Sequence, residues 1–334
     1  MRIAFAGFRH GHILGLHKLA CEHPGVEVVA ASEPDAEARR ALAEAGQVKL
    51  THDSHERMIR ETDCDAVAIG DVYGLRGPIL IAALKAGRHV ISDKPICTRP
   101  EDLEQIAELA SSRGLSVGAQ LDLRSMGVFR AMRRLISEGA VGEVHTVCFT
   151  GQHPLLYGTR PAWYFEPGMQ GGTINDIAIH GIDAVGWLAG RRVAEVVAAR
   201  AWNARLKEVP FFQDAAQLLL RLDNGGGALG DVSYFAPAYS APQYWRITCH
   251  GPDGVIEAAA SADAVVLQRA GDKEPQRIDP DPDRPAAYFG AFLAEAAGQR
   301  DNLDLTTNEI IQATRATLAI QQAADQNKTH VALA

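Results

Sequence analysis

A lysine stands between an aspartate and a proline, directly after a short apolar stretch, in Asp93-Lys94-Pro95. Proline fixes its own φ and keeps the preceding residue extended, so Lys94 is expected to lie outside the helix that follows. Its ammonium would then project beyond the carboxyl end of a strand, at the edge of a parallel sheet where ligands bind. A surface lysine near a turn is the simpler interpretation of the motif alone.

A second group of ionisable residues lies on one predicted helix, within the stretch Gly171 to Leu188. Asp176, His180 and Asp183 are four and three residues apart, so their side chains share one helical face. Apolar residues cover the rest of the circumference, which indicates a helix that is packed on most sides. A polar stripe on such a helix favours a cleft with acid–base chemistry; a solvated stripe, or a core histidine bonded to Asp176, is the structural alternative.

A third group follows the first predicted strand, where a glycine and then a helical pattern are typical of a dinucleotide-binding unit. The usual fingerprint is G-x-G-x-x-G, and this chain instead reads Gly7-Phe8-Arg9-His10-Gly11-His12. Arg9 and His12 replace the glycines that admit the pyrophosphate and allow close packing of helix and strand. Arg9 could instead pair with phosphate oxygens. All six residues are candidate cofactor-binding residues.

An acid ends the second predicted strand, at Glu33. A carboxylate at this point can accept hydrogen bonds from both ribose hydroxyls of a dinucleotide, and it repels a 2′-phosphate. The alternative role, an acid that stabilises the start of the next helix, suits Asp35 better. Glu33 is therefore a candidate ribose ligand, and it favours NAD over NADP.

The order of the predicted elements supplies a scaffold for these groups. Apolar strands alternate with helices through about residue 120, which predicts a parallel sheet with right-handed crossovers. We therefore predict an α/β fold with a doubly wound (Rossmann) domain over residues 1–120. Residues 121–334 are predicted to form an α+β domain for substrate binding and oligomerisation, with a large, mainly antiparallel sheet. The strands predicted for it are Glu143–Gly151, Val193–Trp202, Ala215–Leu222, Gly227–Phe235 and Tyr244–His250.

Three local signals mark element boundaries. Thr98–Glu101 and Thr306–Glu309 have the pattern of capping boxes and predict the starts of two helices. Asp223–Gly227 predicts a tight hairpin turn, because asparagine and glycine tolerate the positive φ that such turns require.

Composition excludes several classes of partner. The net charge of −8 argues against nucleic acid and anionic membranes, because both require a basic surface. The chain has neither the apolar core of a signal peptide nor a run long enough to cross a membrane, so a cytoplasmic protein is expected.

The cysteines show no Cys-x-x-Cys pair and are expected to be reduced. They are Cys21, Cys64, Cys97, Cys148 and Cys249.

Taken in order along the chain, these motifs resemble those of the Gfo/Idh/MocA oxidoreductase family, which includes glucose-fructose oxidoreductase and inositol dehydrogenase. Asp93-Lys94-Pro95 is similar to the family's Glu-Lys-Pro motif. Gly171 to Asp183 follows the pattern Gly-Gly-x-x-x-Asp-x-x-x-His-x-x-Asp. Ala82–Val90 and Leu305–Val331 also look like the family's corresponding stretches, so the likeness covers nearly the whole chain.

The chain departs from the family pattern at several positions. The glycine fingerprint is broken, aspartate replaces glutamate before Lys94, and Ala178 replaces a glycine in the second motif. Arg76 falls about where the family often has a histidine, so it is a candidate substrate-binding residue. These departures bear on cofactor affinity and on substrate identity.

The resemblance implies that Lys94, Asp176 and His180 face the nicotinamide and bind the substrate, and that Asp93 and Lys94 contact the cofactor. The implied reaction is reversible oxidation of a secondary hydroxyl of a sugar, cyclitol or related polyol, with hydride passing to NAD. His180 would take the hydroxyl proton, while Lys94 would stabilise the developing oxyanion or share the proton relay. Asp176 would orient the imidazole or bind a neighbouring hydroxyl, and Asp183 would support them.

Other functions stay open. The same residues suit an enzyme that oxidises its substrate transiently during elimination or epimerisation. The altered fingerprint also suits a ligand-binding protein that has lost the cofactor. The spacings of His10 with His12 and of Asp176 with His180 suit a metal, but spacing supplies no third ligand, so no metal site is expected. We expect a homodimer or homotetramer, because an antiparallel sheet with one open face can pair with a copy.

Overall fold

The computed structural model describes residues 1–241 and 244–333, and the chain divides into two compact units. The first unit contains Met1–Gln120, Pro161–Gly171 and Tyr288–Ile311. The second contains Leu121–Arg160, Gly172–Ala287 and Gln312–Ala334. Two segments predicted for the second domain therefore group with the first unit. Local contacts explain this, since Val117 donates a backbone hydrogen bond to Thr307 Oγ1 at 2.9 Å, and Trp163 Nε1 donates to the Arg9 carbonyl at 3.1 Å.

The regular elements are as follows. The strands are β1 (Arg2–Ala6), β2 (Glu27–Ser32), β3 (Ala66–Ile69), β4 (His89–Ser92), β5 (Val117–Ala119), β6 (Thr146–Gln152), β7 (Val193–Trp202), β8 (Ala215–Leu222), β9 (Gly227–Ser233), β10 (Trp245–Gly251), β11 (Gly254–Ala259), β12 (Val265–Arg269), β13 (Gln276–Ile278) and β14 (Val331–Ala332). The α-helices are α1 (His12–Glu22), α2 (Ala36–Ala45), α3 (His55–Glu61), α4 (Tyr73–Lys85), α5 (Pro100–Arg113), α6 (Gly127–Ser137), α7 (Ile179–Ala189), α8 (Ala287–Ala296) and α9 (Thr307–Asp325). Short 3-10 helices cover Asp122–Ser125 and Ala162–Phe165, and a π-helix covers Ile174–Ala178.

The first unit is built on a parallel sheet of strand order β2-β1-β3-β4-β5. This confirms the predicted doubly wound sheet. Strands β1 and β3 are buried along nearly their whole length, as expected for strands covered on both faces. The chain crosses from one side of β1 to the other between β2 and β3. The carboxyl ends of β1 and β3 therefore flank the switch point at which such sheets bind ligands.

The second unit is built on a larger sheet of order β13-β12-β11-β10-β6-β9-β8-β7-β14. Its neighbours pair antiparallel except β6 and β9, which are parallel, so the predicted mainly antiparallel sheet is confirmed. Burial alternates along β8, because one sheet face is packed while the other is open. Helix α7 packs against β6, and α6 packs against β11 and β12.

Across residues 1–241 and 244–333, every helix is too short or too polar to traverse a lipid bilayer. The five cysteines are free thiols.

Candidate functional site

In the first unit, the loop after β1 is fixed by backbone contacts on two sides. Gly7 has φ +82° and donates its N–H to the Ser32 carbonyl at 2.9 Å, while His10 donates to the Gly70 carbonyl at 3.1 Å. A Cβ on Gly7 would lie 2.6 Å from Cβ of Asp71, so both the φ value and the space require glycine there. The loop after β1 therefore depends on glycine at position 7, and the predicted contact of Gly7 with a cofactor stays a prediction.

The start of α1 has the features that a dinucleotide pyrophosphate requires. Gly11 precedes the helix without a capping side chain, the first turn contains no acid, and a Cβ on Gly11 would meet open space. Backbone N–H groups and the positive end of the helix dipole favour an anion at such a terminus. The start of α1 therefore suits an anion such as a phosphate group, and the contact of this loop with a dinucleotide stays a prediction.

The guanidinium of Arg9 binds the carboxylate of Asp71 in the same unit. Its Nε donates to Oδ1 of Asp71 at 2.6 Å, and Oδ2 of Asp71 lies 3.2 Å from Nε2 of His55. Burial alone would raise the pKa of Asp71, but the hydrogen bonds from His55 and Arg9 outweigh it and lower that pKa to about 2. The guanidinium of Arg9 is thus held by the ionised carboxylate of Asp71, and its contact with phosphate stays a prediction.

Glu33 is fully buried at the end of β2. Its carboxylate accepts hydrogen bonds from the backbone N–H groups of Phe8 at 2.7 Å and of Asp35 at 3.0 Å. Burial raises the pKa of this carboxyl. Glu33 thus ties the loop after β1 to the end of β2, and its predicted contact with ribose stays a prediction.

Lys94 is 5% exposed, and the peptide bond that joins it to Pro95 is cis, which the sequence did not predict. The neighbouring Asp93 is buried as well. Its burial raises the pKa of the carboxyl, but the charges of His10, His12 and Arg76 outweigh this and hold it well below its usual value.

Arg76 is fully buried and braces the segment around Lys94. Its guanidinium donates to the carbonyls of Asp71 (2.8 Å), Asp93 (2.9 Å) and Pro95 (3.0 Å), and to Oδ2 of Asp93 at 3.1 Å. The predicted substrate contact of Arg76 stays untested, and this geometry favours a positioning role.

His10, His12 and Asp93 converge on one point in the first unit, with their potential ligand atoms within 4.8 Å of one another. Nδ1 of His12 lies 3.2 Å from Oδ1 of Asp93, and Nδ1 of His10 is paired with Oδ2. Burial lowers the pKa of His10. The sequence had supplied two histidines without a third ligand, because Asp93 is distant in sequence and reaches them only through the fold.

In the second unit, Asp176 lies within the π-helix that precedes α7, an uncommon turn often found at functional sites. Oδ2 of Asp176 accepts a hydrogen bond from the phenol of Tyr234. Both side chains are buried. A phenolic donor fixes the orientation of the carboxylate.

His180 and Asp183 continue the same polar stripe along α7. The imidazole of His180 packs edge-on against Trp245, with ring centroids 5.5 Å apart. Asp183 accepts two hydrogen bonds from Arg124, Nη2 to Oδ1 at 2.7 Å and Nε to Oδ2 at 2.9 Å. All three side chains are buried, and Asp176 and Asp183 each have a polar partner while His180 packs against an indole. Asp176 lies in the π-helix and the other two lie in α7, so their predicted common face stays a prediction.

The sequence patterns did not indicate three residues that contact the predicted site residues. Tyr234 and Arg124 are the partners of Asp176 and Asp183, and Trp163 packs near His10 at 6.1 Å between ring centroids. Each is remote in sequence from the residue it contacts. No local pattern could have paired them, because the pairing depends on tertiary structure.

Comparison with known families agrees with this architecture. Residues 1–120 match the model of the oxidoreductase family with an NAD-binding Rossmann fold, and residues 129–257 match the GFO/IDH/MocA C-terminal domain. The two matches cover the parallel sheet and most of the larger sheet.

Individual relatives are similar over parts of their length. A 1,5-anhydro-D-fructose reductase of Ensifer adhaerens is 32% identical over 181 residues, 52% of each chain, so this chain spans about half the length of that relative. An inositol 2-dehydrogenase of Saccharopolyspora erythraea is 29% identical over 215 residues, 63% of this chain and 59% of its own. A solved structure from Thermotoga maritima is similar in fold, with TM-score 0.85, 24% identity, and coverage of 99% of this chain and 100% of that one.

Proposed function

Because the chain belongs to the Gfo/Idh/MocA oxidoreductase family, we propose that it oxidises a secondary hydroxyl of a sugar, cyclitol or related polyol with NAD. The relatives named as an anhydrofructose reductase and an inositol dehydrogenase support this substrate class. The observation that carries the proposal is that Asp176 and His180, four residues apart, are both buried in a unit that matches the family's C-terminal domain.

The chain's own residues are proposed to hold the cofactor at the loop after β1. Backbone N–H groups from Phe8 to His12 would bind the pyrophosphate, and Arg9 would add a guanidinium. When bound, NAD supplies a hydride acceptor. The NAD-binding Rossmann unit and the uncapped start of α1 support this assignment.

Proton transfer is proposed to fall to His180. A secondary hydroxyl is too weak an acid to ionise at neutral pH, so a base must accept its proton as the hydride leaves. Packing against Trp245 would keep the imidazole in one orientation. Asp176, fixed by Tyr234, would orient the imidazole or bind a neighbouring hydroxyl of the substrate.

Lys94 is proposed to act on the same substrate. Its ammonium would stabilise the negative charge that develops on the substrate oxygen, or share the proton relay. The buried brace formed by Arg76 on Asp93 and Pro95 would hold the lysine backbone in place during turnover. Arg76 would then contribute through position and not through contact with substrate.

The cofactor is proposed to be NAD in preference to NADP. A carboxylate at the end of β2 opposes the 2′-phosphate of NADP and can accept the ribose hydroxyls of NAD. The backbone donors of Phe8 and Asp35 hold Glu33 at this position. Calorimetric titration with each cofactor measures the preference, and equal affinities would contradict it.

We further propose that the chain forms a homodimer or homotetramer through the open face of the larger sheet. Leu219 and Leu229, on neighbouring strands β8 and β9, are 42% and 51% exposed. Cys148 and Ala198 line the same broad depression. Apolar area of this kind gains from burial against a second copy.

The experiment that tests the proposed function is a panel of sugars, cyclitols and acyclic polyols incubated with enzyme and NAD, with NADH fluorescence as the readout. We expect sustained NADH formation with at least one member. Turnover of a substrate without NADH accumulation would instead indicate transient oxidation. Failure to bind NAD or NADP at all would indicate a ligand-binding protein.

A further inference from the structure

We propose that His10, His12 and Asp93 form a binding site for a divalent transition-metal ion, with Zn²⁺ as the reference ion. These residues supply two imidazole nitrogens and one carboxylate, and their ligand atoms all lie within 4.8 Å of one another. Ligand atoms around a tetrahedral zinc ion are separated by roughly 3.3 Å, given Zn–N and Zn–O distances of about 2.0–2.1 Å. Binding an ion would require the three groups to adopt that spacing.

The first supporting observation is the state of Nδ1 of His10. This buried nitrogen is in direct contact with Oδ2 of Asp93. Apart from this contact with Asp93, Nδ1 has no hydrogen-bond partner among residues 1–241 and 244–333. A buried imidazole nitrogen held against a carboxylate oxygen places two donor atoms of the types that bind zinc side by side, where a shared ion can bridge them.

The second supporting observation is an outer set of contacts of the kind that metal ligands have. Nε2 of His10 lies 3.1 Å from the hydroxyl of Tyr73. If Nδ1 binds a metal, Nε2 carries the proton and donates it to Tyr73, as metal-bound histidines do with a second partner. Asp93 is held in turn by Nη2 of Arg76 at 3.1 Å. Tyr73 therefore orients the imidazole of His10, and Arg76 orients the carboxylate of Asp93.

The donor set selects the class of ion. Imidazole nitrogens suit Zn²⁺, Fe²⁺, Co²⁺, Ni²⁺ and Cu²⁺, whereas Mg²⁺ and Ca²⁺ prefer oxygen ligands throughout. Three protein ligands leave at least one coordination position open, as in catalytic zinc sites. The side chain of His12 is 49% exposed, so an ion could enter from that side.

A network of side-chain hydrogen bonds is the competing explanation, in which Asp93 simply accepts from both histidines. The two explanations differ in a measurable way, because only the metal site predicts saturable, stoichiometric binding. The buried cation of Arg76 beside Asp93 repels a second cation and lowers the affinity that a metal site would have.

The experiment uses the untagged full-length chain, stripped with a chelator and titrated with Zn²⁺ by calorimetry in the absence of NAD and substrate. We expect one ion per chain. His12→Ala, at the half-exposed position, should weaken binding at least ~10-fold, as should His10→Ala, and Tyr73→Phe should weaken it by roughly the same factor through the lost outer contact. Titration with Co²⁺ should give the visible absorption of a bound ion, and His12→Ala should abolish it.

The matched control is His145→Ala, which removes a half-exposed histidine in the second unit. This variant should bind Zn²⁺ as the wild type does. Absence of saturable binding in the wild type would overturn the proposal, and so would binding that His12→Ala leaves unchanged. Because neither cofactor nor substrate is present, this result is independent of the proposed oxidoreductase activity.

Discussion

Tyr234 donates the hydrogen of its phenol to Oδ2 of Asp176, and both side chains are buried in the second unit. The contact joins the end of β9 to the π-helix before α7, so the larger sheet orients a carboxylate of the polar stripe. Hydrogen bonds to charged groups contribute about 1.5–3 kcal/mol, which makes this contact strong enough to control the carboxylate's orientation.

Tyr234→Phe should lower kcat at least ~10-fold while leaving the affinity for NAD unchanged. The variant keeps the ring, which packs against Phe212, and removes only the hydroxyl. The expected loss corresponds to about 1.4 kcal/mol or more in the transition state. Steady-state kinetics and NAD titration measure the two quantities. Tyr239→Phe makes the same chemical change at an exposed tyrosine and should leave kcat unchanged.

The buried ion pair between Arg124 and Asp183 predicts a large effect on stability. Arg124→Met leaves the carboxylate of Asp183 buried and unpaired, which should lower the free energy of unfolding by about 3–5 kcal/mol. Urea unfolding followed by tryptophan fluorescence is suitable, because Arg124 lies over the ring of Trp187 at 5.6 Å.

Two further variants show whether the loss of stability in Arg124→Met comes from the unpaired buried charge. Arg134→Met removes an exposed ion pair with Asp281 and should cost less than ~1 kcal/mol. The double variant Arg124→Met with Asp183→Leu should recover much of the loss, because it removes the unpaired charge. Equal effects of Arg124→Met and Arg134→Met would refute the distinction between the two pairs.

The lowered pKa of Asp71 predicts how stability depends on pH. This carboxyl has an ordinary pKa of 3.8 and a folded-state pKa of about 2. Burial raises the pKa, but the hydrogen bonds from His55 and Arg9 lower it by more. Its contribution, roughly 2 kcal/mol, is fully present above pH 3.8 and is lost as the pH falls towards about 2.

Unfolding free energies measured from pH 5 down to acid should therefore fall more steeply for the wild type than for Asp71→Asn. The exposed carboxylate of Asp53 supplies the control, and Asp53→Asn should follow the wild-type curve. Parallel curves for the wild type and Asp71→Asn would show that Asp71 is not linked to folding in this range.

If the chain associates through the open face of the larger sheet, a charged side chain placed on that face should lower the mass of the particle in solution. Leu229→Lys places an ammonium in the apolar face and should convert the proposed oligomer to a monomer, as measured by light scattering after gel filtration. Leu75→Lys changes an exposed leucine on α4 of the first unit and should leave the mass unchanged. A monomeric wild type, or a Leu229→Lys variant of unchanged mass, would contradict this assignment.

Where periodicity and local chemistry decide the outcome, the sequence predicted the fold well. Residues Val193–Trp202 and Ala215–Leu222 form strands with the predicted bounds. The capping box at Thr306 is present, since its N–H donates to Glu309 Oε2 at 2.9 Å. The helix start predicted within Thr98–Glu101 is confirmed as well, since α5 begins at Pro100, but its N-cap is Arg99 and not Thr98 because Pro100 occupies the first helical position.

Where tertiary contacts decide the outcome, the sequence was insufficient. It placed Asp176, His180 and Asp183 on one face, but the partners of these residues come from distant segments. The segment Pro161–Gly171 was predicted for the second domain and groups with the first unit. Asp93 became a third potential metal ligand only when the fold brought it to the loop after β1.

The most direct test of the proposed function is the rate of NADH formation by Lys94→Ala and His180→Ala, compared with the wild type on a polyol from the substrate panel. Acid–base and charge-stabilising groups typically contribute ~10²–10⁴-fold, so each variant should lose at least tenfold in turnover while still binding NAD. Turnover close to that of the wild type in either variant would contradict the assignment of these two residues to the chemistry.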